Sequence, residues 1–208
     1  FTFGDSVEKI TEYLCSGLSG LTSVTIPESV TSIGGSAFDG CTGLTSVTWN
    51  ARNCEVNNPD EALFQDAADN IETFTFGDSV EKIPEYLCSG LSGLTSITIP
   101  ESVTSIGEYA FWGCTGLTSV TIPNSETEIG DRAFSACTGL TEITIPESVT
   151  SIGDYAFSGC TGLTSVTWNA RNCSYESSYG NYGVFSNCTN ISTITFGDSV
   201  EKITEYLC

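Results

Sequence analysis

Apolar residues recur along this chain in a short, repeating cadence. Leu21, Val24 and Ile26 spell L-x-x-V-x-I, and the spacing returns at Leu94/Ile97/Ile99, Leu117/Val120/Ile122 and Leu140/Ile143/Ile145. Alternation at the V-x-I end predicts a strand with one face buried. Pro27, Pro100, Pro123 and Pro146 follow and end that strand, because proline has no N–H for a ladder. A second alternating stretch, S-V-T-S-I, turns Val30 and Ile33 inward. The G-x-x-A-F segment after it predicts one short helical or 3-10 turn, and Pro84 there suits a first helical position.

Leu94 to Gly116 sets a unit of 23 residues. Copies start near residues 1, 21, 44, 71, 94, 117, 140, 163 and 191, and those at 44 and 163 stretch to 27 and 28 residues. Self-similarity at this period predicts a solenoid. Each coil is expected to add one strand to a parallel sheet, about 4.8 Å from its neighbour, and to touch only adjacent coils. The fold expected is thus a right-handed, β-dominated α/β-type solenoid, with short helical or 3-10 turns opposite the sheet. No linker interrupts residues 1–208, which read as one uncapped domain. Thr2–Cys15 and Thr195–Cys208 are identical over 14 residues, as a fragment of a longer array duplicated in blocks would be. Phe1, Phe3 and Leu207 are expected on open end faces.

Two turn positions stand out. Gly20, Gly43, Asn70, Gly93, Gly116, Gly139, Gly162 and Asn190 close the units, and this Gly/Asn restriction predicts left-handed backbone. Three residues earlier stand Gly17, Gly40, Gly90, Gly113, Gly159 and Asn187, with Ala136 the exception, as expected of a helix C-cap.

Ten cysteines in a chain of 208 residues invite a disulfide framework. Their positions argue against one. Cys41, Cys114, Cys137, Cys160 and Cys188 share a single slot of the repeat, whereas Cys15, Cys88 and Cys208 occupy the slot of Phe38, Phe111, Phe134 and Phe157. Where Phe gives way to Cys, its neighbours enlarge, as in Leu87-Cys88-Ser89-Gly90-Leu91. Such volume exchange marks packing residues. Bridges between stacked thiols such as Cys114, Cys137 and Cys160 remain an alternative. Zinc lacks both a CxxC pair and histidine.

Charge narrows the function classes. With 26 Asp+Glu against 6 Lys+Arg, the net charge is −20, so the chain is unsuited to nucleic acid. The absence of His excludes histidine-based triads and imidazole metal sites. No apolar run is long enough for a membrane-spanning helix. No catalytic, metal-binding or cofactor-binding residues stand out, and no cofactor is expected.

The outward position of V-x-I is Thr throughout: Thr25, Thr48, Thr75, Thr98, Thr121, Thr144 and Thr167, with Thr2 and Thr195 at the ends. Beside it runs a row of Ser and Thr broken by Glu142. This hydroxyl lattice reads either as ordinary β-propensity on a solvated sheet or as a face for glycan. Acids form a row at Glu12, Glu85, Glu108, Asp131, Asp154 and Glu205, suited to the start of a helical turn or to weak divalent-cation association. Glu126 replaces an inward Val. The long units carry irregular loops, Glu55–Ala62 and Ser174–Gly183, the latter with Tyr175, Tyr179 and Tyr182. Those tyrosines suit adaptable contacts, or the loop is a spacer. Trp49 and Trp168 take inward strand positions, as core or as sugar platforms. Asn172, Asn187 and Asn190 fall in N-x-S/T sequons.

Laid out as L-T-S-V-T-I-P-x-S-V-T-S-I-G-x-x-A-F-x-G-C-T-G, with T-W-N-A-R-N-C and F-G-D-S-V-E-K-I as variants, the repeat resembles the BspA-like, or treponemal-type, leucine-rich repeats of bacterial surface proteins. The resemblance spans essentially the whole chain and supplies no catalytic residues. It implies an extracellular or cell-surface, non-enzymatic solenoid in adhesion, binding host or matrix protein or surface glycan without membrane insertion. The candidate binding residues are the threonine row and the loop tyrosines. The alternative is a structural spacer or stalk presenting another domain.

Overall fold

The V-x-I segments form parallel strands that stack side by side in three runs: Ser23–Ile26, Ser46–Trp49 and Thr73–Phe76; Ser96–Thr98 and Ser119–Thr121; Glu142–Ile145, Ser165–Trp168 and Thr193–Phe196. This computed structural model describes residues 1–57, 62–125, 127–176, 182–203 and 207. Equivalent residues of successive units pair, with Val24 opposite Val47, Ile97 opposite Val120 and Ile143 opposite Val166. The molecule is a β-solenoid.

The expectation of one strand per unit is corrected to two. The S-V-T-S-I segment also forms short parallel strands: Lys9–Ile10, Ser32–Ile33 and Glu55–Val56 in one sheet, then Lys82–Ile83, Ser105–Ile106, Thr127–Ile129, Val149–Gly153 and Ser174–Glu176 in another. The reason lies in the sequence: this segment has the same two-residue alternation as the first strand. With an equivalent segment one coil away, its N–H groups find carbonyls in register.

The helical turns are corrected too. Among the described residues the helical segment is a single 3-10 turn, Gln65–Ala67. Elsewhere, from Tyr13 to Gly159, the turns around A-F place two left-handed residues four apart, such as Tyr109 with Gly113 and Arg132 with Ala136. Alternate N–H groups turn outward to the next coil: Tyr109 N donates to Asp131 O (3.0 Å), Phe111 N to Ala133 O (2.8 Å) and Gly113 N to Ser135 O (2.8 Å). Donors committed between coils cannot close i→i−4 rings.

The slot assigned to C-caps is thus left-handed, but the slot closing each unit is not. Gly17, Gly40, Ala136, Gly159 and Asn187 have positive φ, whereas no closing Gly or Asn does. The closing glycines answer a different need. A Cβ on Gly139 would sit 2.6 Å from Thr115 O in the preceding coil, and one on Gly93 equally close to Asp69 O. Asn enters this slot after the longer units, where its amide donates to that preceding carbonyl: Asn70 Nδ2 to Thr42 O (2.9 Å) and Asn190 Nδ2 to Thr161 O (2.7 Å).

Side chains stack in columns between the sheets and the turns. The rings of Phe111, Phe134 and Phe157 stack nearly parallel at 5.0 and 5.1 Å centroid spacing, and Phe185 continues the column at 5.5 Å. Cys88 fills the Phe slot with Leu87 and Leu91 also buried, as the volume exchange requires. Trp49 and Trp168 are fully buried core residues held by packing, and among the described residues neither indole N–H has a partner. Phe3 and Leu207, expected on open faces, are buried, while Phe1 is exposed.

The two long units interlock with their successors in the same way. Arg52 and Asn53 grip the Glu81 carboxylate at 2.6 and 2.8 Å, and Arg171 and Asn172 grip Glu201 at 2.6 and 3.0 Å. The A-R-N-C variant and the V-E-K-I variant are thus two halves of one contact.

Candidate functional site

The strand register carries the threonines into rows. Thr25 pairs with Thr48 and Thr48 with Thr75; Thr98 pairs with Thr121; Thr144 pairs with Thr167. Thr2 and Thr195 extend the end runs through Thr25 and Thr167. The row is therefore real but broken twice, between Thr75 and Thr98 and between Thr121 and Thr144, where adjacent strands stop sharing a ladder. At the first break a groove of about 420 Å³ opens, lined by Thr73, Thr75, Ser96 and Thr98 with Glu72, Asp78 and the edges of Phe74 and Phe76. A neighbouring groove of about 720 Å³ runs from Thr2 and Thr25 to Asn50 and Ser79, with Asp5, Glu28 and Asp78 along it. Hydroxyls and carboxylates thus share this face.

The loop tyrosines do something different. Tyr175 and Tyr182 converge on Asp154, a fully buried acid. The Tyr175 hydroxyl reaches Asp154 Oδ1 and, at 2.6 Å, the Tyr182 carbonyl, and Tyr182 N donates to the same carboxylate at 3.4 Å. Tyr175 is a strut that ties the long unit to the coil before it. Tyr179, Glu126 and Glu205 lie outside the described residues.

The acidic row does not cap helices, since the turns are not helical. Asp131 instead accepts the Asp154 N–H of the next coil at 2.7 Å. Among the described residues, no group of three or more metal-capable side chains gathers.

A stripe of aromatic rings on the turn side escaped the sequence reading. The left-handed position before A-F holds Tyr86, Tyr109, Arg132 and Tyr155 on successive coils. Tyr86 stacks on Tyr109 at 4.7 Å, the Arg132 guanidinium lies between Tyr109 and Tyr155 at 5.4 and 4.9 Å, and Tyr182 stacks on Tyr155 at 4.6 Å. The signal is the recurrence of Tyr, with one Arg, at a single repeat position.

The thiols form a ladder of their own. Cys114 Sγ donates to Cys88 O (3.0 Å), Cys137 Sγ to Phe111 O (3.2 Å) and Cys160 Sγ to Phe134 O (3.2 Å). The nine described cysteines are free, and all but Cys188 are buried. Burial pushes the Cys54 and Cys173 thiols up to about 12 and raises Cys88 and Cys114 well above the ordinary range. A thiol whose folded pKa exceeds its unfolded value contributes stability that is complete below the unfolded pKa and is lost as pH climbs through the folded one. Melting temperature should therefore hold to about pH 9 and fall from there towards 12, less steeply in Cys54→Ala/Cys173→Ala. Ellman's reagent at pH 8 should meanwhile react fast with Cys188 at most among these nine. An unchanged melt at pH 11, or prompt labelling of several thiols, contradicts this reading.

Six copies of the model described as "BspA type Leucine rich repeat region" match the sequence, over residues 1–115 and 82–207. No curated protein sequence matches. A leucine-rich repeat protein from Bacteroides ovatus is similar at 29% identity and a TM-score of 0.67, over 99% of this chain; the chain spans 56% of that protein's length. The T. pallidum leucine-rich repeat protein is similar at 25% identity and a TM-score of 0.58, over 94% of this chain and 76% of its own. The stacked strands, the columns between them and these matches agree: the chain belongs to the BspA-type leucine-rich repeat family.

Proposed function

We propose that this solenoid is a non-enzymatic, cell-surface binding module, coiled right-handed in 23-residue units, that holds a protein or glycan against its hydroxyl-rich sheet. One observation carries the reading. The threonine row stays in register on both sides of Thr75 and Thr98, and the sheet opens between them into a groove with polar walls. A row of hydroxyls at strand spacing offers donors and acceptors at little cost in side-chain entropy, because Thr has one restricted rotor. The acids beside it direct polar ligands and repel anionic ones.

The test is saturable binding by the array, flanked by further repeats, to immobilised matrix proteins and neutral glycans. Thr75→Lys/Thr98→Lys should weaken that binding roughly tenfold, a change of about 1.4 kcal/mol. Equal binding by the variant removes the groove from the reading. Absence of saturable binding favours the second reading, a stiff spacer, which the continuous stacked columns of the interior support.

A further inference from the structure

Beside the first long unit the tyrosine stripe ends in a cleft. Phe64 stacks on Phe38 at 5.2 Å and so takes the Phe slot of that unit, which puts Ala62 at the position held by Tyr86 on the next coil. A methyl group replaces a phenol, and a cavity of about 460 Å³ remains. Its walls are Tyr86, Tyr109 and Trp112 on one side, and Ala62, Gln65 and Ala68 on the other. The second long unit lacks a tyrosine at the equivalent position as well, with Gly183 there, but Tyr182 folds onto Tyr155 and completes the stack. The first unit has no such filler among its described residues.

We propose that this cleft is a receptor for an arginine side chain presented by a basic segment of a partner protein. The stripe itself shows which group it accepts. One position along, the Arg132 guanidinium lies over the faces of both Tyr109 and Tyr155, and its Nη1 donates to the Tyr109 hydroxyl at 2.7 Å. Attraction between a cation and a ring face is strongest for indole. The cleft supplies one in Trp112, which is 43% exposed and set edge-on to Tyr109 at 6.4 Å.

Charge selects the same occupant. Among the described residues no cation lines the cleft, and acids adjoin its walls in sequence: Glu85 before Tyr86, Glu108 before Tyr109, and Asp66 and Asp69 beside Gln65 and Ala68. The chain carries −20 overall with 6 cations, and two of the arginines are engaged by Glu81 and Glu201. A field of this sign draws a basic segment and turns away acidic ones. The guanidinium matches better than an ammonium, because it is planar, stacks and sheds water readily. This inference rests on the binding reading above but places the contact on the turn side, away from the threonine groove.

The experiment uses the full chain and three probes: an arginine-rich nonapeptide, the same peptide with citrulline for arginine, and a neutral hexasaccharide. The arginine peptide should bind saturably and more weakly at high salt, and the citrulline peptide should not bind. Trp112→Ala should weaken binding roughly tenfold. Ala62→Lys, which places a cation in the cleft without removing a core side chain, should weaken it at least as much. Equal affinity of the arginine and citrulline peptides, or arginine binding untouched by both substitutions, overturns the proposal. Hexasaccharide binding lost in Trp112→Ala overturns it in favour of sugar. Matrix-protein capture lost in Thr75→Lys/Thr98→Lys but kept in Trp112→Ala and Ala62→Lys overturns the cleft while leaving the binding function intact.

Discussion

Phe134→Ala will destabilise the solenoid by about 3–5 kcal/mol, the range for emptying a fully buried Phe site. Phe134 lies between Phe111 and Phe157 at 5.0 and 5.1 Å with ring planes within 5° of parallel, and no part of it reaches solvent. Its backbone is committed to the next coil through both polar groups, with its N–H on Ala156 O and its carbonyl accepting Cys160 Sγ. The site cannot collapse, because the coils above and below are fixed by their own ladders, so most of the ring volume persists as a void. Two further variants separate volume from aromaticity. Phe134→Cys alone should lose nearly as much as Phe134→Ala. Adding Ala133→Leu and Cys137→Leu recreates the Leu87-Cys88-Leu91 arrangement, which is fully buried here, and should recover most of the loss. Urea unfolding followed by circular dichroism measures both steps. If the triple variant is no more stable than Phe134→Cys, constant-volume exchange between slots is the wrong account of the cysteines.

Sequence alone reached the solenoid because each unit repeats the same inward positions, and a column needs only equivalent residues to meet. Val24 over Val47 and Phe111 over Phe134 follow from that spacing without further knowledge. What it missed are features that arise between coils rather than within one. The second strand at Ser105–Ile106 is two residues long and gains its ladder from Lys82–Ile83 and Glu128–Ile129, so its alternation alone does not decide between a strand and an extended connection. The absence of helix at G-x-x-A-F has the same origin, since Phe111 N bonds Ala133 O one coil away. At the candidate site, the threonine row was legible as an alternation, but its interruptions at Thr75/Thr98 and Thr121/Thr144 were not. The aromatic stripe was hidden because Arg132 interrupts the tyrosines at this position, and only its place between the Tyr109 and Tyr155 rings shows a shared purpose.

Gly139 tests which of two causes restricts the residue that closes each unit. If left-handed backbone were the reason, Asn would be tolerated there almost as well as Gly. The structure gives Gly139 no such backbone, and places its missing Cβ 2.6 Å from Thr115 O and 3.0 Å from Leu117 O. Both obstacles are main-chain atoms held in the preceding coil, so neither can swing aside as a side-chain tip can. Gly139→Ala and Gly139→Asn should therefore be similarly damaging, at about 3 kcal/mol, the upper part of the range for overpacking. Asn70→Gly runs the other way. Its amide bond to Thr42 O is exposed, and its removal should cost about 1 kcal/mol. Ala136 supplies the contrast at the slot where backbone does decide. It stands at φ 60°, and Ala136→Gly should stabilise the fold by about 0.5–1 kcal/mol by relieving that strain. Denaturation midpoints for these variants order the two causes directly. Should Gly139→Asn match the wild type while Gly139→Ala does not, the restriction is one of backbone angle after all, and the coils are further apart at this turn than their carbonyls imply.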